Sequence, residues 1–183
     1  MKRSHLIRDI IEIVAITVLV FIVLHFTIQS YNGDGITMQP GLAKNEYVMV
    51  NKVAYKFKAP ERGDVIVFNN PHDTTKVFIK RIIGLPGDTV TLDNTHVSVN
   101  GTQLTESYVK TPFNPEGKSV KVPANQYFVV DDNRQTTDDS RIYNWGYVPK
   151  DFIIGKAVLS FWPLNHVHFI NTYPDVYAHI KTK

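Results

Sequence analysis

A long apolar run near the N-terminus is the clearest feature of the hydrophobic pattern. Residues 13–28 read IVAITVLVFIVLHFTI, with polar side chains at only three positions. Together with Ile10 and Ile11 the run reaches roughly 20 residues, which as a helix covers roughly 30 Å, the hydrocarbon core of a bilayer. The pattern therefore predicts a transmembrane helix.

The residues around this run favour a retained anchor. Basic residues up to Arg8 precede it, so the positive-inside rule places the N-terminus in the cytoplasm and the rest of the chain outside. A cleaved secretory signal would be shorter and would end at an A-x-A-like site, and a buried core helix would usually keep a polar face. We expect residues 1–9 to be cytoplasmic, residues 10–29 to form the anchor in the cell membrane, and residues 30–183 to form an extracytoplasmic domain.

Beyond the anchor the pattern changes to short apolar runs separated by turn signals. Such runs predict strands, here at Tyr47–Val50, Val65–Phe68, Val77–Ile83, His96–Val99 and Tyr127–Val130. Asn100-Gly101 predicts a two-residue hairpin, because both turn residues need a positive φ. The fold class is therefore mainly β, with a single N-terminal transmembrane helix followed by an all-β domain.

Composition excludes several kinds of function. The net charge of +3, without a dense run of Lys and Arg, gives no indication of a nucleic-acid partner. Cysteine is absent, which excludes disulfides, zinc fingers, thiol nucleophiles and iron–sulfur clusters. His166 and His168 would share one face of a strand, but such a pair is more often a surface feature than a metal site. We expect neither a metal nor another cofactor.

Three polar segments carry candidate chemistry. GITMQP at 35–40 puts a hydroxyl in a glycine-containing turn after the anchor, and FIKRIIGLPGD at 78–88 sets Lys and Arg inside an apolar strand. DDNRQTTDDSR at 131–141 can bridge loops through charge-assisted hydrogen bonds. Each alone also fits a plain structural interpretation, respectively a linker, a strand lysine reaching water, and a solvated loop.

Lys80 has the most specific chemistry of these residues. On a strand it shares a face with Phe78 and Ile82. Burial among such side chains disfavours the ammonium, so a neutral amine becomes available as a base.

Taken together and in this order, the segments resemble the type I signal peptidase family, the Ser/Lys-dyad leader peptidases of the single-anchor bacterial type. The resemblance extends over essentially the whole chain. It includes KNEYVMVNKVAYKFKAPERGDVIVF at 44–68 and KRIIGLPGDTV at 80–90. It also includes DDNRQTTDDSR at 131–141, which is similar to the family's G-D-N-R-x-x-S-x-D-S-R box.

The resemblance implies a role for each matching residue. Thr37 stands where the family has its Ser nucleophile, and Lys80 matches the general base. Thr137 matches the hydroxyl that orients the lysine, while Asp139 and Arg141 match an ion pair that holds the site. The tetrahedral oxyanion would be held by the backbone N–H of Thr37.

The resemblance also implies the substrates. These are exported preproteins whose signal peptides present a small-x-small segment and bind by β-strand addition. Met38, Leu42 and Ile79 are the expected lining residues. Membrane lipid would surround the anchor, and the secretion translocon is a candidate partner. The implied activity is signal-peptide removal by an endopeptidase outside the membrane.

Three departures from the family pattern leave alternatives open. Thr37 replaces Ser, and its extra methyl stiffens χ1. Asp131 replaces Gly, which suggests an altered turn, and Asn32-Gly33 replace apolar residues and weaken the strand expected beside the cleft. The leading interpretation is an active peptidase using Thr37. The alternatives are a weak or inactive paralogue with a binding or regulatory role, an active-site substitution, and another Ser/Lys peptidase such as a self-cleaving repressor.

Overall fold

The computed structural model describes residues 2–33, 35–112, 117–136, 139–141 and 146–181. For residues 2–6 it describes the backbone alone.

The N-terminal run forms one helix, α1, at Lys2–Thr27. Its segment Ile7–Thr27 has a mean hydropathy of 2.6 and is long and apolar enough to cross a membrane. Its side chains are exposed on all faces, so no part of the described protein covers them. An apolar surface of this size favours insertion in lipid.

The rest of the chain is built mainly from strands, which confirms the predicted fold class. The strands are β1 Ile28–Gly33, β2 Glu46–Asn51, β3 Val65–Asn70, β4 Asp73–Gly84, β5 Thr89–Leu92, β6 Val97–Val99, β7 Thr102–Gln103, β8 Lys118–Lys121, β9 Gln126–Val130, β10 Val148–Pro149, β11 Ile153–Trp162 and β12 His168–Phe169. Short helices α2 at Ala54–Phe57 and α3 at Pro174–Tyr177, and 3₁₀ turns at Lys150–Phe152 and Leu164–His166, complete the described elements.

These strands form two antiparallel sheets. The larger has eight strands in the order β1-β2-β11-β3-β4-β9-β10, with β12 paired to β11, and the smaller has the order β7-β6-β5-β8. Each of the five predicted strands lies in or overlaps an observed one. The predicted hairpin is also confirmed, because Asn100 and Gly101 have φ of 52° and 79° between β6 and β7.

The C-terminal segment packs back onto the domain. Tyr177 and Ile180 are buried against the core that the smaller sheet shares with β4 and β9. The hydroxyl of Tyr177 lies 2.7 Å from that of Tyr108, which joins α3 to the loop after β7.

Gly84 ends β4 at the place where the two sheets meet. A Cβ added there would lie 2.7 Å from Cγ2 of Val90 and 3.0 Å from Cβ of Phe128. Both neighbours are fully buried, so neither can move aside freely. We expect Gly84→Ala to lower the free energy of unfolding by about 1–3 kcal/mol, as measured by urea titration. Gly87→Ala is a contrasting variant: its Cβ would meet nothing within 4 Å, so any loss there comes from the strain of alanine at a φ of +86° and not from overpacking.

Candidate active site

Thr37 lies in the turn that joins β1 to β2. The turn closes on itself through the Leu42 N–H, which donates to the Met38 carbonyl at 2.9 Å. The segment after β9 ties it down, because the Asn133 N–H donates to the Thr37 carbonyl at 2.8 Å. The Asn133 side chain donates to the Ile36 carbonyl at 3.2 Å. The segment 131–141, although distant in the sequence, thus fixes the backbone that carries the Thr37 hydroxyl.

Lys80 lies on β4, between β3 and β9. It is opposite Ile66 of β3, and its neighbour Arg81 is opposite Val130 of β9. Its side chain is only 1% exposed. Nζ lies 5.3 Å from the centre of the Phe78 ring and 2.5 Å from Oδ1 of Asp131. The amine is therefore buried, as the sequence predicted, but it has a carboxylate partner.

A single cleft of about 380 Å³ joins the two candidate catalytic residues. It is lined by Asn32, Gly33, Gly35, Thr37, Met38, Leu42, Ala43, Lys76, Val77, Phe78, Ile79 and Lys80. Five residues singled out in the sequence thus reach one cavity: Thr37, Lys80, Met38, Leu42 and Ile79. Met38 and Leu42 are each 4% exposed and form its floor together with the core below.

The strand beside the cleft persists despite its polar sequence. β1 runs through Asn32 and Gly33, which are opposite Tyr47 and Glu46 of β2. In the order of the larger sheet β1 is the terminal strand, so among the described strands its other edge has no partner.

Asp139 and Arg141 form a fully buried pair. Arg141 Nε donates to both carboxylate oxygens of Asp139, at 3.0 and 2.9 Å. Its terminal nitrogens donate to the carbonyls of Arg134 and Thr136, at 3.0 and 2.8 Å. One guanidinium therefore holds together the loop that follows β9. Thr137, the predicted lysine-orienting residue, lies outside the described residues.

Asp131 is the site residue whose role the sequence did not reveal. Its N–H donates to Oδ2 of Asp139 at 2.9 Å, and its Oδ2 accepts from the Thr136 hydroxyl at 2.6 Å. Its Oδ1 contacts Lys80 as an ion pair rather than as a well-directed hydrogen bond. Burial raises the pKa of Asp131 to about 6, and the Lys80 charge opposes that rise.

The sequence suggested an altered turn where aspartate replaces glycine, but the backbone conformation at Asp131 does not need glycine. Asp131 is not among the described residues with positive φ, so the conformation at this position does not demand glycine. The consequence of aspartate here is electrostatic. The indication in the sequence for this electrostatic role was an acidic residue directly after β9, the strand that pairs with the strand of Lys80.

The two histidines considered for a metal have other contacts. His166 Nδ1 lies 3.3 Å from a carboxylate oxygen of Glu46, and His168 Nε2 lies 3.0 Å from the Gly41 carbonyl. Within the described ranges, no group of three or more His, Asp or Glu residues is arranged to hold a metal ion.

Comparison with known proteins identifies the family. Residues 6–162 match the family described as "Signal peptidase, peptidase S26". The chain is 36% identical over 176 residues to signal peptidase I P of Bacillus subtilis subsp. natto, covering 91% of this chain and 94% of that protein. It is 43% identical over 137 residues to the probable signal peptidase I-2 of a Synechocystis species, covering 72% of this chain and 62% of that protein. A crystal structure of a signal peptidase I from Enterococcus faecalis V583 is 32% identical, with a TM-score of 0.47 over 54% of this chain and 97% of that one.

The family match over residues 6–162 and the 36% identity to signal peptidase I P assign the chain to the S26 class of peptidases. Within that class, the chain belongs to the signal peptidase I family. The family predicted from the three sequence boxes is thereby confirmed. Members of this family are membrane-anchored, and the apolar helix α1 fits such an anchor.

Proposed function

We propose that this protein removes N-terminal signal peptides from exported preproteins, with Thr37 as nucleophile and Lys80 as general base. The observation that carries the proposal is that both residues line one cleft while the Lys80 side chain is 1% exposed. A hydroxyl and a buried amine in one cavity suffice for acyl transfer without histidine or metal.

The reaction follows from the two groups. A neutral Lys80 takes the proton of the Thr37 hydroxyl as the oxygen attacks the carbonyl carbon of the scissile bond. The Lys80 ammonium then gives that proton to the departing amine of the mature protein. The signal peptide remains bound to Thr37 as an ester. Water activated by the same amine hydrolyses the ester.

The oxyanion is held by the backbone N–H of Thr37. A Cβ on Gly35 would lie 3.8 Å from both the N and the Oγ1 of Thr37, so a side chain at this position could reach the reacting atoms. Glycine supplies no hydroxyl there, and Thr37 therefore works without a side-chain donor from residue 35.

Substrate recognition uses the cleft and the edge of β1. The unpaired edge can accept an extended peptide as a further strand. Met38, Leu42 and Ile79 then present an apolar surface to the residues just before the cut, which suits a small-x-small segment. Asp139 and Arg141 support the site from below, and Thr137 is proposed to orient Lys80.

The anchor keeps this site at the bilayer. The Lys52 N–H donates to the Thr27 carbonyl at 2.9 Å, so the domain is bonded directly to the end of α1. With basic residues before the helix, we propose a cytoplasmic N-terminus and an extracytoplasmic catalytic domain. Signal peptides in the same lipid, delivered by the secretion translocon, are then concentrated near the cleft.

Thr37 variants test the nucleophile. We expect Thr37→Val, which keeps the shape and removes the hydroxyl, to lower kcat/KM by about 10²–10⁴-fold on a preprotein with Ala-x-Ala before the cut. We expect Thr37→Ser to retain activity and to raise it by up to about tenfold, since loss of the methyl frees χ1. Full-length protein in detergent should be assayed by gel separation of precursor and mature forms.

The outcome for Thr37→Val decides between the interpretations. If native protein is active and Thr37→Val cleaves as well, Thr37 is not the nucleophile. If native protein and Thr37→Val are both inactive while Thr37→Ser cleaves, the chain is instead a paralogue that its threonine has disabled.

A further inference from the structure

The register of the sheet brings a carboxylate to the catalytic amine. β4 and β9 are antiparallel with Arg81 opposite Val130, so one step further Lys80 faces residue 131. Side chains opposite each other on neighbouring strands point to the same face. Lys80 Nζ accordingly lies 2.5 Å from Asp131 Oδ1, and the two side chains are 1% and 0% exposed.

The surroundings of Asp131 favour its ionised form at neutral pH. The Thr136 hydroxyl lies 2.6 Å from Oδ2 of Asp131 and 2.6 Å from the Asn133 carbonyl, so its one proton is shared between these two acceptors. The share donated to Asp131 stabilises the carboxylate. The negative charge of Asp139 disfavours ionisation of Asp131, but Arg141 balances that charge at 2.8 Å. Burial raises the pKa of Asp131, while the contact with Lys80 and the Thr136 hydroxyl act to lower it and so favour the anion.

The surroundings of Lys80 likewise favour its charged form, the ammonium. Besides the carboxylate, the Phe78 ring lies 5.3 Å from Nζ, within the range of a cation–π contact. Burial alone would drive a lysine to the neutral amine, but a carboxylate in direct contact acts in the opposite direction. Only the neutral amine of Lys80 can take the Thr37 proton. Because Asp131 stabilises the ammonium, it lowers the fraction of Lys80 that is able to act as a base.

We propose that Asp131 restrains the catalytic base by holding Lys80 as its ammonium, so that the peptidase is slow at neutral pH and gains activity as the ion pair loses its proton. This proposal rests on the proposed function of Lys80 as the general base. Asp131 is a positioning residue, because it acts on the reaction only through Lys80. The proton lost from the pair goes to solvent, and the bond-making and bond-breaking steps are unchanged.

Removing the charge at residue 131 tests the restraint. Asp131→Asn keeps the shape and an acceptor for Thr136, while Asp131→Gly removes the side chain entirely. We expect either change to raise kcat/KM at pH 7 by about tenfold or more and to move the ascending limb of the pH profile about 1–3 pH units toward acid. Asp151→Asn is a matched control, since Asp151 is exposed in the 3₁₀ turn before β11.

A second measurement reads the charge of Lys80 without relying on catalysis. In the full-length protein with ¹³C-labelled lysine in detergent, the Lys80 Cε signal is identified as the one missing from Lys80→Met. We expect this signal to report an ammonium at pH 7 in the native protein and to titrate about 1–3 pH units lower in Asp131→Asn. Asp151→Asn should leave it unchanged.

The two measurements separate this inference from the proposed function. A Lys80 signal that titrates identically in native protein and Asp131→Asn overturns the restraint, whatever the activity. So does an unmoved pH profile in folded, active Asp131 variants. If the signal shifts as expected but neither native protein nor any Asp131 variant cleaves substrate, the electrostatic restraint on Lys80 stands and the proposed peptidase function is wrong.

Discussion

Replacing Lys80 by methionine is expected to lower kcat/KM by about 10²–10⁴-fold, because Lys80 is the buried amine of the cleft. The other lysine that lines the cleft, Lys76, is 65% exposed and is paired with Asp73 at 3.3 Å. Methionine retains much of the length of the lysine side chain without its charge, so it fills the space on β4. It also leaves the buried Asp131 carboxylate without its partner, which by itself can cost about 3–5 kcal/mol of stability. The single variant therefore mixes a catalytic and a structural effect.

A double variant separates these two effects. Lys80→Met/Asp131→Asn removes both charges, and we expect its free energy of unfolding to recover toward the native value while cleavage stays lost. Lys56→Met serves as the control for losing a lysine, since Lys56 is exposed at the end of α2, away from the cleft. Cleavage by the folded double variant at the native rate would show that Lys80 is not the base.

Replacing Arg141 by methionine is expected to lower the free energy of unfolding by about 3–5 kcal/mol, as measured by urea unfolding followed by tryptophan fluorescence. The guanidinium is fully buried and donates to Asp139 and to the carbonyls of Arg134 and Thr136. Methionine supplies none of these side-chain donors, so the buried Asp139 carboxylate loses its counter-charge and two carbonyls lose the guanidinium donor. The loop after β9 should loosen, and with it the Asn133 contacts to the Thr37 turn.

The effect of Arg141→Met on activity should follow that loosening. We expect kcat/KM to fall while the ascending limb of the pH profile moves less than in Asp131→Asn, since Arg141 pairs with Asp139 whereas Asp131 is the carboxylate in contact with Lys80. Lys150→Met, an exposed change in the 3₁₀ turn before β11, should alter stability by less than about 0.5 kcal/mol. Native-like stability of Arg141→Met would contradict the view that this pair holds the loop.

The sequence predicted those strands whose apolar positions stand out locally. VIVF at β3 and YFVV at β9 are short apolar runs next to turn residues, and their strand character does not depend on their partners. β11 escaped prediction although it is a long strand in the middle of the larger sheet. In the sheet it lies between β2 and β3, which are both distant from it in the sequence. Its place in the strand order therefore depends on tertiary packing rather than on the local hydrophobic pattern.

The candidate site was predicted where a motif fixes a residue, and missed where register decides. The family boxes were enough to single out Thr37 and Lys80, because each box marks its residue. The contact between Lys80 and Asp131 depends instead on β4 pairing with β9 in one register. A one-residue shift would turn the carboxylate to the other face, so composition and spacing could not predict it.

The most direct test of the hydroxyl-lysine pair is to locate the acyl group on the enzyme. Full-length protein should be mixed with a peptide thioester ending in Ala-x-Ala, quenched in acid, digested and mapped by mass spectrometry. Since the chain has no cysteine, no thiol competes for the acyl group. We predict one ester-linked adduct on the peptide containing Thr37, absent from Thr37→Val and slow to form in Lys80→Met. An adduct on another residue, or equal labelling of Thr37→Val, would contradict this account.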